Sequence, residues 1–449
     1  MMSAPKPPLI LFGFMMNVVG HISAGLWRHP EDQASRYTDI RYWVEIAQLL
    51  DEAGFDALFL ADALGQLDVY QQQPDAALRG AAQMPVNDPL LLVSALAAAT
   101  QHLGFGVTVS TTYEHPYLLA RKFTTLDHLS NGRVAWNIVT SMLDSAARNL
   151  GLAQQIPHDE RYDRAQEFVD VACKLWEGSW EEDAVVRDKQ GGIYSHPHKV
   201  HPIRHQGRYY QVPDAHLSEP SPQRTPVLFQ AGTSARGSLF AAANAEVIFM
   251  AGLTPEAIRH DIATIRQLAV EQGRHPDALR FIAAVTVVTG PDDTQAQARY
   301  ADFQRYISEE AALALFSAWT GVDWADYDPD RPLEYIETDA CRSALASLTR
   351  IDGGRQWTLR EAAHYIGIGG LHPTLVGGPE SVADQLEQFA AASGVDGFNI
   401  GYAISPGSFE DFARYVIPEL KARGRVAPRP AQPLTLRERL FGAGQRYRR

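Results

Sequence analysis

The chain has 449 residues, 45% of them hydrophobic, enough to bury a large core as one decorated barrel or as two to three ordinary domains. Its 40 basic residues against 53 acidic ones leave a formal net charge of −13, which argues against nucleic acid, whose phosphates attract basic surfaces. Two cysteines, Cys173 and Cys341, exclude a disulfide framework and a cysteine-built zinc site. The opening MMSAPKPPLILFGF has no charged segment followed by a long apolar one, and no apolar run approaches membrane-spanning length. A cytoplasmic protein without membrane attachment is expected.

Leu9 to Phe14 is predicted as the first strand, and the loop after it, MNVVGHISAGLWRHPEDQ, is unusually rich in Gly, His and Trp for a connector. Ile40, Trp43, Val44, Ala47 and Leu50 fall at helical spacing, and Gly54 ends that helix before an apolar strand, Phe55 to Leu60, with Asp62 just beyond it. A helix over 89–101 leads into Phe105 to Val109, which ends in Ser110, Thr111, Thr112, Tyr113, Glu114 and His115. Pro116 opens the next helix, whose buried face is Leu118, Leu119, Phe123, Leu126 and Leu129 and whose stop is Asn131-Gly132. The strand Val134 to Val139 carries Asn137 and finishes in Thr140-Ser141. A helix over 159–177, strand 226–230, helix 234–244, strand 246–250, helix 255–272, strand 281–288, helix 380–392 and strand 395–400 follow.

Eight strands alternating with helices predict a single (β/α)8 barrel over 1–449. A doubly wound sheet is the alternative, against which no G-x-G-x-x-G follows the first strand. Residues 63–88, 178–225 and 308–378 do not fit a minimal barrel and read as insertions, the last of them long and irregular. The tail 419–449 is basic and reads as solvated or packed on another subunit, with docking to an acidic partner as the sharper alternative.

Polar residues at the carboxyl ends of parallel strands mark where such folds bind ligands. His158 and Tyr162 lie four apart on one helix face, and PVLFQAGTSARG reads as strand, glycine turn and helix, with Thr233 or Ser234 as cap. Gly232, Thr233 and Ser234 are therefore candidates to hold a phosphate that His158 and Tyr162 also touch, although capping alone accounts for Ser234 equally well. His21 and Trp27 follow the first strand. His21 is a candidate hydrogen-bond donor or proton carrier because an ordinary imidazole titrates near neutrality. His196, His198, His201, His205 and His216 invite a metal reading, but no zinc-binding spacing accompanies them and no metal is expected. Serine-hydrolase chemistry has no G-x-S-x-G to support it.

The segments NVVGHISAGLWRHPEDQ, FDALFLAD, NDPLLL, TVSTTYEHPYLLARKFTTLDHLSNGRVAWNIVTS, HDERYDRAQEF, KLWEGSW, SPQRTPVLFQAGTSARG and DGFNI resemble the flavin-dependent monooxygenases grouped with nitrilotriacetate, dibenzothiophene sulfone and long-chain alkane monooxygenases. The resemblance runs from about residue 9 to residue 440 and implies a luciferase-like barrel. It implies reduced FMN supplied by a separate NAD(P)H-dependent flavin reductase, O2 activated as a flavin-oxygen adduct, a small or medium organic substrate, and a homodimer or homotetramer. By the same resemblance Asp62, Ser110, Asn137, Ser141, His158, Tyr162 and Ser234 fall on FMN positions. His21, Gln83 and His115 are the polar catalytic candidates. Val18, Trp27, Leu67 and Met142 are expected in the substrate pocket. Some relatives carry Cys, Tyr and His near Val18, Leu67 and Met142, where this chain is apolar. An apolar or aromatic substrate follows better than a polycarboxylate, for which no arginine cluster is present. A deazaflavin-dependent hydride transferase and a flavin-binding protein without turnover are the alternatives, and a flavin as substrate is a more distant one.

Overall fold

The computed structural model describes residues 6–232, 234–333 and 357–447. Eight parallel strands close a barrel: β1 (Ile10–Met16), β2 (Ala57–Ala61), β3 (Gly104–Ser110), β4 (Val134–Val139), β5 (Val227–Gln230), β6 (Val247–Met250), β7 (Arg280–Thr289) and β8 (Gly397–Gly401). Each pairs with its neighbours in chain order, and β8 returns to β1 with Asn399 opposite Phe12. All eight strands legible in the sequence are therefore barrel strands.

Successive strand residues point in and out. The inward set, Phe12, Phe59, Phe229, Phe249 and Ile282, fills the barrel, with Phe59 and Phe249 stacked at 4.3 Å and Phe12 and Phe229 at 5.5 Å. Gly106 makes that filling possible, because a Cβ there would stand 2.5 Å from the Phe229 ring. The outward set, including Leu11, Leu58, Phe105, Trp136 and Phe281, is buried under helices such as Ile40–Ala53, which contributes Trp43, Ile46 and Leu50. Local signals set the helix limits. Asp39 accepts the Arg41 amide at one end of that helix and Gly54, at φ 102°, closes the other.

The long insertions are more ordered than their composition suggests. Leu67, Tyr70, Ala76, Ala77 and Met84 of 63–88 share a second apolar core with Ala311, Leu315, Phe316, Trp324, Trp357, Leu359 and Ile366 of 308–378. Ala63, Met142 and Leu253, which follow β2, β4 and β6, pack against that core, so it caps the carboxyl end of the barrel. The expectation that 308–378 is irregular is corrected. Helices Glu309–Thr320 and Leu359–Ile366 form within it, and Thr374–Gly377 adds a ninth strand beside Thr286–Thr289 of β7. Residues 334–356, with Cys341, lie outside the described residues. Segment 178–225 carries two hairpins, Val185–Asp188 with Ile193–Ser195 and His205–Gln206 with Gln211–Val212.

Within the basic tail, one helix is not solvated. This helix, Leu436–Phe441, plugs the amino end of the barrel, with Leu436 and Leu440 joining the interior phenylalanines. Arg437 is buried in an ion pair with Glu246, and Arg439 pairs with Asp56. These arginines are spent on the barrel's own carboxylates rather than on solvent or an acidic partner. Arg448 and Arg449 lie outside the described residues.

Candidate active site

A cavity of about 330 Å³ opens at the carboxyl ends of β2, β4 and β5, where the strands run out into Asp62, Ser141 and Gln230. Its lining is polar at Asp62, Ser141, His158, Tyr162, Gln230 and Ser234, and apolar at Leu64, Met142, Leu143 and Ala146. Among the residues singled out from the sequence, Asp62, Ser141, Met142, His158, Tyr162, Gly232 and Ser234 line this one space. Ser110 stands directly behind it, accepting a hydrogen bond from Ser141 Oγ at 2.8 Å. Asn137 is buried on β4, donating from Nδ2 to Thr108 Oγ1 at 2.8 Å, while its Oδ1 has no protein partner. Thr233 lies outside the described residues.

The phosphate-sized end is built from two helices. Ser234 caps Ala235–Asn244, its Oγ accepting the Gly237 amide at 3.1 Å, and the remaining first-turn amides carry the helix's partial positive charge toward the cavity. From helix His158–Gly178, the His158 Nε2 comes within 3.5 Å of Ser234 Oγ, and Asp159 holds its Nδ1 at 2.7 Å. Gly232 fits closely here: a Cβ there would lie 2.6 Å from the Tyr162 hydroxyl and 2.5 Å from Gln230 Nε2, so both side-chain ends would have to shift. Hydroxyls, an imidazole and helix amides around a small recess suit a phosphate, and buried lone acceptors at Asn137 Oδ1 and Gln230 Oε1 suit a ligand bearing N–H or O–H donors. These residues therefore fit FMN.

Asp62 is tuned. Burial, reinforced by the charge of Asp88, pushes its carboxyl up to about 7 from 3.8. Between those two pH values the folded chain holds a proton that the unfolded chain has released, so this group lowers stability as pH rises. Asp62→Asn is therefore expected to melt above the unsubstituted protein at about pH 8 and level with it below about pH 4, read by thermal unfolding across that range. An unchanged difference from acid to alkaline pH would contradict the assignment.

The other expected residues stand apart from the cavity. His115 is exposed and caps helix Pro116–Leu129, its Nδ1 accepting the Tyr117 amide at 3.3 Å. Trp27 is 38% exposed and donates its indole N–H to the Gly80 carbonyl. Val18 bridges to Val86, and Leu67 is buried in the cap core. Gln83 donates from Nε2 to the His21 carbonyl at 3.1 Å, fixing the loop after β1. The expectation of a near-neutral His21 is corrected, because complete burial, with His372 nearby, drives its imidazole down to about 3. His21 is thus a neutral hydrogen-bonding ring at physiological pH.

Gln230, Arg161 and Phe240 line the cavity without having been singled out. Gln230 was accessible to the same rule that found Ser110, being the last residue of its strand. Three of the five histidines of 178–225 have ordinary hydrogen-bond partners, His201 with Glu181, His205 with Glu167 and His216 with Thr124, and the rings of His196 and His198 lie 5.4 Å apart. Among the described residues no group of three side chains is arranged to hold a metal, and no helix is long and apolar enough to cross a membrane.

Comparison with known proteins places this geometry. The family model described as luciferase-like monooxygenase matches residues 20–397. Dimethyl-sulfide monooxygenase of Hyphomicrobium sulfonivorans is 51% identical over 437 residues, covering 97% of this chain and 91% of the relative. Long-chain alkane monooxygenase of Geobacillus thermodenitrificans is 47% identical, covering 96% and 93%. The crystal structure of DmoA from Hyphomicrobium sulfonivorans superposes with a TM-score of 0.91 over 97% of this chain and 93% of that one. A riboflavin lyase solved with modified FMN and riboflavin superposes at 0.90 with 37% identity, covering 97% and 96%. With its closed eight-stranded barrel and a match across most of its length, the chain belongs to the luciferase-like monooxygenases, a family of flavin-dependent enzymes.

Proposed function

We propose that the chain is the oxygenase component of a two-component system, taking reduced FMN from a separate NAD(P)H-dependent reductase and using O2 to oxidise a small or medium apolar organic compound. The observation that carries this reading is the convergence of a phosphate-fitting recess, polar strand-end residues and apolar lining on one cavity. Ser234, His158 and Tyr162 would hold the FMN phosphate, and Asp62, Ser110, Asn137 and Ser141 would face the rest of the cofactor. When bound, reduced FMN supplies the electrons and the reaction with O2. The protein's own share is to exclude water and to place the substrate. Leu64, Met142, Leu143 and Ala146 do the first, with the cap core packed behind Met142 and Leu143.

Three of the relatives, 51%, 47% and 37% identical, are named for dimethyl sulfide, long-chain alkanes and dibenzothiophene sulfone, all uncharged, whereas those named for N-acetyl-S-(2-succino)cysteine and nitrilotriacetate, both polyanions, are 33% and 34% identical. Leu64, Met142, Leu143 and Ala146 give the cavity apolar lining, where a polycarboxylate would need several cations. The test is O2 consumption with reduced FMN across those compounds and riboflavin. At least one is expected to raise uptake above the substrate-free rate, and Ser234→Ala is expected to weaken FMN binding about tenfold through loss of a charge-assisted hydrogen bond. Binding of a deazaflavin with no affinity for FMN would overturn the proposal. So would a stable FMN complex whose oxidation no compound accelerates.

A further inference from the structure

The strands β7, β8 and β1 are consecutive around the barrel, and the segments that follow them enclose a second cleft. Helix Asp293–Gln304, after β7, contributes Arg299 and Asp302 from one face. Helix Gly407–Asp411 and the π-turn Phe412–Val416, after β8, contribute Asp411 and Arg414, and the loop after β1 adds His29 and Glu31. The space among them is about 550 Å³ and shares no lining residue with the cavity at β2, β4 and β5.

The side chains of this cleft are held in place before any ligand arrives. His29 is buried; its Nδ1 accepts the Glu31 amide at 3.2 Å, its Nε2 meets Asp302 at 3.1 Å, and its ring stands edge-on to Phe303 at 5.1 Å. Arg299 joins the two helices by donating to Asp411, and its other terminal nitrogen lies 3.6 Å from Glu31. Burial lifts the Asp411 carboxyl above its ordinary value, against the pull of Arg299 and Arg414. Arg414 is exposed, with its guanidinium 6.0 Å from the Tyr415 ring. The π-turn that carries both has a local cause. The Ile417 amide reaches back five residues to the Phe412 carbonyl, and Pro418 has no amide to offer Arg414 in an ordinary helical register. Turns of this kind are frequent at functional sites.

Charge in the cleft is mixed rather than of one sign. Carboxylates at Glu31, Asp302 and Asp411 are interleaved with guanidiniums at Arg299 and Arg414, above the apolar surface of Ala298 and Phe303. A simple anion would face the carboxylates and a simple cation the guanidiniums, while an uncharged molecule would strip water from both without replacing it. A molecule carrying both signs avoids all three penalties. We propose that this cleft binds a small zwitterion of the α-amino acid class, its carboxylate on Arg414, its ammonium on Glu31 and Asp302, and its apolar group against Ala298 and Phe303. Such a site is separate from the flavin and from the compound to be oxidised.

Leucine, methionine and phenylalanine, titrated calorimetrically into the full chain with and without oxidised FMN, provide the test. At least one is expected to bind saturably, with the same affinity in both conditions. For the tightest of them, the amine that lacks its carboxylate and the acid that lacks its ammonium should each bind at least about tenfold more weakly. Arg414→Gln should weaken the amino acid about tenfold without weakening the amine, and Glu31→Gln should weaken it without weakening the acid. Ala298→Trp, which fills the cleft from an exposed helix position, should abolish binding, and FMN affinity should be the same in all three variants. No saturable binding of any of the amino acids, or an amine or acid that binds as tightly as its amino acid, would overturn the proposal. So would unaltered binding in Ala298→Trp or Arg414→Gln, or loss of binding once FMN saturates the chain.

Discussion

Replacing Arg437 by alanine is expected to destabilise the protein by about 3–5 kcal/mol, the cost of leaving a buried carboxylate without its partner. The guanidinium donates to both oxygens of Glu246, at 2.7 and 2.9 Å, and from the same fork to the Pro226 carbonyl at 3.1 Å. Side-chain exposures of 2% and 9% leave water little access to either ion. Glu246 is also bonded to the barrel, accepting the Leu228 amide at 3.0 Å, so an uncompensated charge there would act on β5 and β6 directly. Leu436 and Leu440 on the same short helix would lose their anchorage against the interior phenylalanines. The exposed pair Arg305–Asp302, on helix-end residues, provides the contrast and should yield no more than about 1 kcal/mol on Arg305→Ala. Urea unfolding followed by tryptophan fluorescence compares the two. The double variant Glu246→Gln, Arg437→Met should recover much of the loss, since it removes both charges at once. An Arg437→Ala midpoint within 1 kcal/mol of the unsubstituted protein would show that the plug helix is not held as described.

The plug also shows where sequence reasoning stops. Strands such as Phe55 to Leu60 and Val134 to Val139 were legible because a parallel strand covered on both faces is a continuous apolar run, and because Gly54, Gly132 and Gly394 punctuate what precedes them. A helix like LRERLF carries its meaning elsewhere: the partners of Arg437 and Arg439 lie 191 and 383 residues away. Charge alone therefore pointed to solvent. The strand Thr374–Gly377 escaped for a related reason, being four residues long among glycines and prolines and defined only by its pairing with β7. The cavity wall was easier, since strand-end polar residues and a glycine turn before a helix are local patterns, and Ser141, His158, Tyr162, Gly232 and Ser234 meet where those patterns placed them. His115 carried its own warning, because a residue directly before Pro116 occupies the capping position of the helix. The near-neutral titration expected of His21 failed because burial is a property of the assembled mouth, and the nearby His372, far along the chain, lowers the imidazole further.

Gly232→Val is expected to weaken FMN binding at least about hundredfold, some 2.7 kcal/mol, while leaving the fold intact. The argument is steric and local. Gly232 follows β5 by two residues, and any Cβ there meets the Tyr162 hydroxyl and Gln230 Nε2 within 2.6 Å. Both are ends of side chains that can swing aside, so the barrel should accommodate the change. Swinging them aside, however, removes two polar groups from the cavity wall and puts isopropyl methyls in the recess beside Ser234. A phosphate gains most from that recess because the helix amides are fixed there before it arrives, an arrangement that bulk at Gly232 would shield. Ser234→Ala, by contrast, takes away one hydroxyl and leaves the amides in place, which is why its expected effect is tenfold smaller. Fluorescence quenching of FMN by each variant, read with circular dichroism and melting temperature, distinguishes the two cases. Weak FMN binding with an unaltered melting temperature in Gly232→Val assigns the recess to the phosphate. If Gly232→Val bound FMN as tightly as the unsubstituted chain, the phosphate would have to lie elsewhere on the mouth, and the roles given to His158, Tyr162 and Ser234 would fall with it.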